Sequence, residues 1–471
     1  MDDSFEVFGE RGGKTINDPI HGHYTLPDYA FQMIDTPQFQ RLRDLKQLGT
    51  SYYVFPGAVH HRFEHCLGVA RLANKMISQI RHKQPELQVT DREEKLVTLA
   101  GLCHDLGHGP FSHAFEEWLL MYKGIKWHHE DMSKTMLSHM IDENQIDMEQ
   151  EDINFLKQLI TGKERESTRE KQFLFDIVAN MRNSIDVDKF DYLARDCLFS
   201  GIKSSYDWAR LVHHCRVIED EICFNAKEVY NIYEMFHTRY SMHKRVYTHR
   251  VVKSIEFMIS DALTLADPYL NISSAIEDPA EFTLLSDSIL KTIETSKDPN
   301  LKESRDIISK IRKRQLYGSA GEVLVPPNQH EDITSVRVED IIQHDSSLQP
   351  NDVIVDHVVM NYAMRDKNPV NHTHFFSKYN PNQKFLMQKE EVSLLIPNQF
   401  RESYVRIFVR DEKKVREETK GLVHGRQRLA AQRAFNKYLE SRNCNPSPLR
   451  MMPDPVTKGR EGVIHQRQLH F

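Results

Sequence analysis

A chain of 471 residues with 39% apolar and 28% charged residues can bury a sizeable core, and no stretch approaches the roughly 18 uninterrupted apolar residues of a membrane span. The net charge of -6 argues against a protein that coats nucleic acid, and six cysteines without a C-x-x-C pair fit a reducing compartment better than a disulfide framework. Twenty-five histidines make imidazole chemistry the first thing to look for.

Residues 1–13 are acidic, then glycine-rich, and lack an apolar signal core, so a tail on an intracellular protein of the nucleus or cytosol is expected. NDPIHGHY, from Asn17 to Tyr24, reads as a loop punctuated by Pro and Gly. Helical spacing covers 28–49, with Pro37 welcome at a helix start. A turn at Pro56-Gly57 leads into a helix beginning near Arg62, which puts His65 in its first turns.

The apolar run from Leu96 to Cys103 reads as a buried helix that delivers the adjacent pair His104 and Asp105 and stops at Gly107, Gly109 and Pro110. A neutral imidazole nitrogen beside a carboxylate oxygen suits a divalent ion of intermediate hardness. Two ligands never fill a site, so His65 is taken as a third. His108, His113 and His129 are candidates for ligands or proton carriers. By itself the His-Asp pair would equally serve as a helix C-terminal cap.

Helical patterns return over 128–160 and 170–200. In the second, Asp188, Tyr192 and Asp196 form one stripe a turn apart, which suits a metal lying beside a polar substrate or, equally, a solvated acidic face. Residues 231–262 read as one long helix dense in His, Arg and Tyr, fit to line a polyphosphate site. Helical signals continue from Phe282 to Lys313. After Pro326-Pro327, the segments VIVDHVVMNY, THFFSKY, KFLMQ and YVRIFVR read as strands. The expected architecture is mainly α: a helical domain over 14–317, then a small α+β lobe over 318–442 that includes an amphipathic helix from Leu422 to Leu439. A poorly ordered tail is expected over 443–471.

Taken together, NDPIHGH, DTPQFQRLR, YYVFPGA, RFEHCLGV, AGLCHDLGHGPFSH, KWHHE, IDVDKFDYLARDC and MFHTR resemble the HD-domain phosphohydrolases. They resemble more closely the SAM- and HD-domain-containing deoxynucleoside triphosphate triphosphohydrolases of animals, although no stretch like their SAM domain precedes Lys14. The resemblance implies hydrolysis of a deoxynucleoside triphosphate to deoxynucleoside and inorganic triphosphate. It implies that His65, His104, Asp105 and Asp188 bind a transition metal (Fe, Mn or Zn), with Mg2+ accompanying the triphosphate. Arg62, Lys189, Tyr192 and Arg239 would hold the phosphates. His108, His113 and His129 would sit at the α-phosphate, with His113 as general acid. Gln47 and Asp196 would bond the 3′-hydroxyl, Leu48 and Tyr192 would crowd the 2′ carbon, and His243 and Tyr247 would lie near the base.

The family also implies activation by GTP and deoxynucleotides that assemble a homotetramer. The matching positions for a guanine site are Lys14, Asn17, Asp35, Gln40 and Arg43. Those for a second nucleotide are Lys227, Asn231, Arg245, His249, Arg250 and Lys378. Asn225 and Gly318 depart from the basic residues expected there, Thr15 from an aliphatic one, and Glu116 from an aspartate. Two alternatives use the same residues: a phosphodiesterase or nucleotidase on the HD scaffold, and a non-catalytic protein that binds nucleotides or single-stranded nucleic acid.

Overall fold

The Pro-Gly stretch near the N-terminus is the turn of a hairpin. Strands β1 (Gly13–Asp18) and β2 (Gly22–Pro27) pair antiparallel, from Gly13 opposite Pro27 to Asp18 opposite Gly22. Asp18 Oδ1 accepts the N–H groups of Ile20 (2.7 Å) and His21 (3.0 Å), and Gly22 takes the left-handed backbone (φ +69°) that closes the turn. The computed structural model describes residues 12–163, 170–327, 333–410, 425–442 and 444, so the tails expected at 1–13 and 443–471 lie almost entirely outside it. The chain divides into two compact units, one running up to 316 and taking in 360–401, the other formed by 317–359 and residues from 402 onward. Among the described residues no helix is long and apolar enough to cross a membrane.

The first unit is built on helices. After α1 (Asp28–Ile34), α2 (Arg62–Lys83) starts with the Glu64 carboxylate reaching back to the His61 N–H at 2.7 Å and ends on Arg81, His82 and Lys83. A second capping box, Thr90 with Glu93, starts α3 (Asp91–Cys103). The run that gave α3 its signature is buried throughout: Leu96, Val97, Leu99, Ala100, Leu102 and Cys103 are all at 0% exposure. Each large aliphatic side chain among them contributes about 1.5–3 kcal/mol by leaving water. Where α3 crosses α2, Gly101 lets the backbones meet, since a Cβ there would lie 3.0 Å from the Val69 carbonyl oxygen.

Helices α4 (His113–Lys123), α5 (His129–Glu143), α6 (Gln150–Thr161) and α7 (Val187–Ser200) follow. The long helix predicted over 231–262 is instead two: α8 (Val229–Met242) and α9 (Arg250–Leu270), separated by a π-helical turn over His243–Tyr247. The break has a polar cause. His249 adopts an extended backbone and its Nδ1 accepts the Val251 N–H at 3.3 Å, while Thr248 Oγ1 donates to the His243 carbonyl at 2.8 Å. Helix α10 (Lys302–Arg312) packs along α9.

The first unit also carries a sheet of which the sequence patterning revealed two of the four strands. Strands β3 (Cys215–Ile218) and β4 (Glu221–Asn225) turn through Glu219 and Asp220, both at positive φ. They extend to β7 (His374–Ser377) and β8 (Asn380–Leu386) in the order β3-β4-β7-β8, with Phe224 paired parallel to Phe375. THFFSKY and KFLMQ therefore belong with the helical unit rather than with the expected 318–442 lobe. The second unit holds β5 (Gly318–Leu324), β6 (Val353–Asn361) as far as Val359, and β9 (Arg401–Val409) from Glu402, in the order β5-β9-β6. Helix α11 (Arg426–Ser441) covers this sheet with Ala430, Ala434, Phe435 and Tyr438 against Val323, Val405 and Ile407.

Candidate metal centre and nucleotide pocket

Three helix ends bring the histidine and aspartate side chains together. His65 lies one turn into α2, His104 and Asp105 follow the last turn of α3, and Asp188 sits in the first turn of α7, whose N-cap Asp186 accepts the Lys189 N–H at 3.1 Å. His65 Nε2 is 3.2 Å from Asp188 Oδ1 and 3.7 Å from Asp105 Oδ2. His104 Nε2 is 3.4 Å from both Asp188 Oδ1 and Asp105 Oδ1. Ligands about 2.0–2.2 Å from one ion stand roughly 3.0–3.5 Å from each other, so His65, His104 and Asp188 are spaced for one divalent cation, while Asp105 stands beside them and groups with His108 and His129.

The proton inventory agrees. His104 Nδ1 donates to the Gly101 carbonyl at 2.9 Å, which leaves its buried Nε2 as a lone pair with no hydrogen-bond partner among the described residues. His65 Nδ1 donates to Asp191 Oδ2 at 2.7 Å and likewise turns Nε2 inward. Burial pulls the His65 pKa down, but Asp188 and Asp191 outweigh it and raise it to about 10, so without a cation Nε2 carries a proton toward Asp188 that a bound cation would displace. Burial pushes the Asp188 carboxyl up, and His104 and His65 more than reverse that, holding it well below the usual range.

Asp191 was not singled out from the sequence. It is fully buried and also accepts from His21 Nε2 (2.6 Å) and from Arg195 Nε (2.9 Å) and Nη2 (2.8 Å), while Arg195 Nη1 reaches Asp18 at 2.9 Å. Helix α2 passes Asp191 at Gly68, where a Cβ would stand 2.0 Å from Asp191 Oδ1. The available signal was its place three residues after Asp188 on one helix.

A second imidazole group adjoins the first. The His108 and His129 rings stack at 3.8 Å between centroids, and His113 stands 5.3 and 5.5 Å from them. Glu116, the departure from aspartate, accepts from the His129 N–H (2.8 Å) and Nδ1 (2.9 Å) and lies 3.5 Å from His113 Nδ1. His108 Nε2 sits 3.3 Å from Asp105, yet burial, then Arg62 and His129, drives its pKa well below the usual histidine range, so the ring is neutral. His113 is presented by two strained residues, Phe111 and Ser112, both at φ +60°, which cost on the order of 1–3 kcal/mol each. Polar contacts hold them there: Asp287 accepts the Phe111 N–H at 2.7 Å, and Ser112 Oγ accepts from Arg62 Nε at 3.1 Å and donates to the Lys46 carbonyl at 2.9 Å.

The polar groups expected around a nucleotide lie along α2, α7 and α8. Arg62 donates to Asp105, Lys189 Nζ reaches Asp186 at 2.9 Å, and Tyr192 meets the His65 ring edge to face at 6.4 Å. Arg239 donates to the Asn361 carbonyl at 2.7 Å, and its buried Nε has no partner among the described residues. Burial, then Arg239 and His113, lowers the His243 pKa well below its usual value, and Tyr247 meets His243 edge to face at 4.9 Å. Tyr247 donates to Asp196 at 2.7 Å. Leu48 packs with Tyr247 against Cys197, Met242 and Val246. Gln47 Oε1 is buried without a partner among the described residues.

The residues read as activator sites are elsewhere on the first unit and mostly at its surface. Lys14 pairs with Asp35 at 2.8 Å, Arg43 Nε donates to Gln40 at 2.8 Å and its guanidinium lies over Phe63 at 3.5 Å, and Asn17 is exposed. Thr15 faces Thr25 across the hairpin. Lys227, Arg245, Arg250 and Lys378 are exposed, Asn231 is bonded to Asp207 and Glu228, and His249 caps α9. Asn225 receives the Lys227 N–H, and Gly318 starts β5.

A helical unit whose helix ends bring His65, His104 and Asp188 within ligand distance of one another, with Asp105 alongside, has the architecture of an HD domain. Residues 62–196 match the HD domain family and residues 206–385 the HD associated region. The chain is 50% identical over 449 residues to the deoxynucleoside triphosphate triphosphohydrolase SAMHD1 homolog of Dictyostelium discoideum, covering 95% of this chain and 84% of that one. It is 42% identical to Bos taurus SAMHD1, covering 85% of this chain and 76% of the relative, and 43% identical to the Homo sapiens protein, covering 84% and 70%. The chain belongs to the SAMHD1 family of deoxynucleoside triphosphate triphosphohydrolases.

Proposed function

We propose that this enzyme hydrolyses deoxynucleoside triphosphates to deoxynucleoside and inorganic triphosphate at the centre formed by His65, His104, Asp105 and Asp188. The observation that carries this reading is that cluster, with His65, His104 and Asp188 spaced for one cation and Asp105 beside them, flanked by the imidazoles of His108, His113 and His129 and by the cationic side chains of Arg62 and Lys189. A divalent ion bound there supplies Lewis acidity toward the α-phosphate and the attacking water. Iron, manganese and zinc all accept this donor set, and Mg2+ accompanies the triphosphate.

Arg62, Lys189 and Arg239, with the Tyr192 hydroxyl, bind the phosphate oxygens and offset charge that spreads onto them in the transition state. Water attacks the α-phosphorus and the bond from it to O5′ breaks; His113 gives its proton to the departing O5′, and the proton that the water loses on forming the new P–O bond restores His113 through solvent. His113 suits that step because it is the most exposed imidazole of its group, with 75% of its side chain open to an incoming nucleotide. Neutral His108 and the Glu116-braced His129 line the α-phosphate. Gln47 and Asp196 bind the 3′-hydroxyl, Leu48 and Tyr192 leave no room for a 2′-hydroxyl, and His243 and Tyr247 border the base.

GTP at Lys14, Asn17, Asp35, Gln40 and Arg43, and a deoxynucleotide at Lys227, Asn231, Arg245, His249, Arg250 and Lys378, activate the enzyme by assembling a tetramer. The pairing of Lys14 with Asp35 and of Gln40 with Arg43 supports the first of these sets. The test is product identity with each deoxynucleotide in Mn2+ or Mg2+, with and without GTP. Inorganic triphosphate and deoxynucleoside are expected, and pyrophosphate or single phosphate would overturn the reading.

A further inference from the structure

His60 lies just outside the residues assigned above, yet it touches two of them. Its side chain is 0% exposed, Nε2 stands 2.7 Å from Asp196 Oδ1, and its main-chain carbonyl accepts the Gln47 N–H at 3.0 Å. The ring is fixed by stacking on Phe199, with centroids 4.6 Å apart and an 18° interplanar angle. A carboxylate only accepts hydrogen bonds, so the proton on this contact belongs to His60 Nε2. Tyr247 donates to the other oxygen, Oδ2, at 2.7 Å. Asp196 is thus pinned at both oxygens, and each retains accepting capacity. Gln47, whose main-chain N–H is held by His60, has a buried side-chain Oε1 with no partner among the described residues, so the fold does not fix this amide and a half-turn of the side chain can present its NH2 to a substrate oxygen.

We propose that His60 is a positioning residue for sugar recognition, holding Asp196 through its imidazole and Gln47 through its carbonyl as one unit that reads the 3′-hydroxyl. This rests on the assignment of Asp196 and Gln47 to that hydroxyl. A sugar hydroxyl gives one hydrogen to the carboxylate while the glutamine amide meets its oxygen. Substrates lacking the hydroxyl leave these buried groups unpaired, and the enzyme rejects them. With His60 gone, Asp196 swings on the Tyr247 bond alone and the discrimination weakens.

The measurement is the ratio of kcat/KM for dGTP over 2′,3′-dideoxy-GTP, using the full chain in Mn2+ with GTP. In His60→Leu the ratio should fall about tenfold, the usual worth of one hydrogen bond to a charged group. In His60→Gln, whose amide still reaches the carboxylate, it should stay near wild type. A folded His60→Leu that slows both substrates equally, while Asp196→Asn collapses the ratio, overturns the proposal and leaves His60 a packing residue. A ratio unmoved by Asp196→Asn and Gln47→Ala overturns the sugar assignment itself. Should His60→Leu fail to fold, His60→Asn carries the same expectation, because its shorter amide falls short of Asp196.

Discussion

His65 is gripped on both ring nitrogens inside the helical unit, Nδ1 against Asp191 and Nε2 toward Asp188, whereas Arg43 lies at the surface, bonded to Gln40 and laid over Phe63. The inner cluster is complete before any ligand arrives: its buried donors and acceptors are braced from behind, so little ordering remains to be done when a cation enters. The outer residues satisfy one another: Lys14 pairs with Asp35, each 58% exposed, and a ligand proposed to bind there would have to displace that contact. Exposed pairs of this kind are worth about 0–1 kcal/mol and weaken with salt, so exchange is easy and reversible. Rigidity suits chemistry, and exchangeable pairing suits regulation.

The comparison is tested most severely at the inner cluster. Asp188→Ala, or His104→Ala with Asp105→Ala, should lower turnover on the order of a thousandfold or more and abolish stoichiometric metal, measured by product assay and elemental analysis. An active, metal-loaded variant would end the claim that these side chains share one ion. His113→Ala separates proton transfer from metal binding: kcat should fall roughly 10²–10⁴-fold with metal content intact.

A buried carboxylate remote from the centre supplies a third test. Burial raises Asp176 from 3.8 to about 6 despite its 3.0 Å contact with Arg182. The folded state therefore binds this proton more tightly than the unfolded chain does. The resulting stabilisation is full below pH 3.8 and is lost as pH rises through about 6. Asp176→Asn should flatten that part of the stability curve by roughly 2–3 kcal/mol in denaturant titrations at pH 4 and 7. The smallest effect is expected outside: Arg43→Ala should move the unfolding free energy by no more than about 0.5 kcal/mol while raising the GTP concentration for half-activation. An unchanged GTP titration would remove Arg43 from the activator site.

The two regions also differed in how far the sequence exposed them. The apolar run of α3 ending in His-Asp, and the 188–192–196 stripe of α7, are periodic signals that a linear reading detects, and the structure gathers those residues near one another. Asp191 and His60 carry no such signal. Each is a polar residue whose importance comes from partners 126 and 136 positions away, a relation only tertiary folding creates. The break between α8 and α9 was hidden for a local reason. Thr248 and His249 continue the helical spacing, and only their side-chain bonds to the backbone turn the chain aside. Strands β3 and β4, of 4 and 5 residues, are too short for alternation to stand out, so the sheet that draws 374–386 into the first unit was missed.

Gly68 gives this architecture an unexpected weak point. Because an acid from α7 must reach around α2 to touch the rear of His65, the helix has to run past it bare, and a methyl group would intrude to 2.0 Å from the Asp191 oxygen. An alanine there alters no residue proposed to meet substrate, yet it wedges the two helices apart behind His65. The outcome would be a thermolabile enzyme that sheds its ion on warming: a lesion of the hinterland expressed at the hearth.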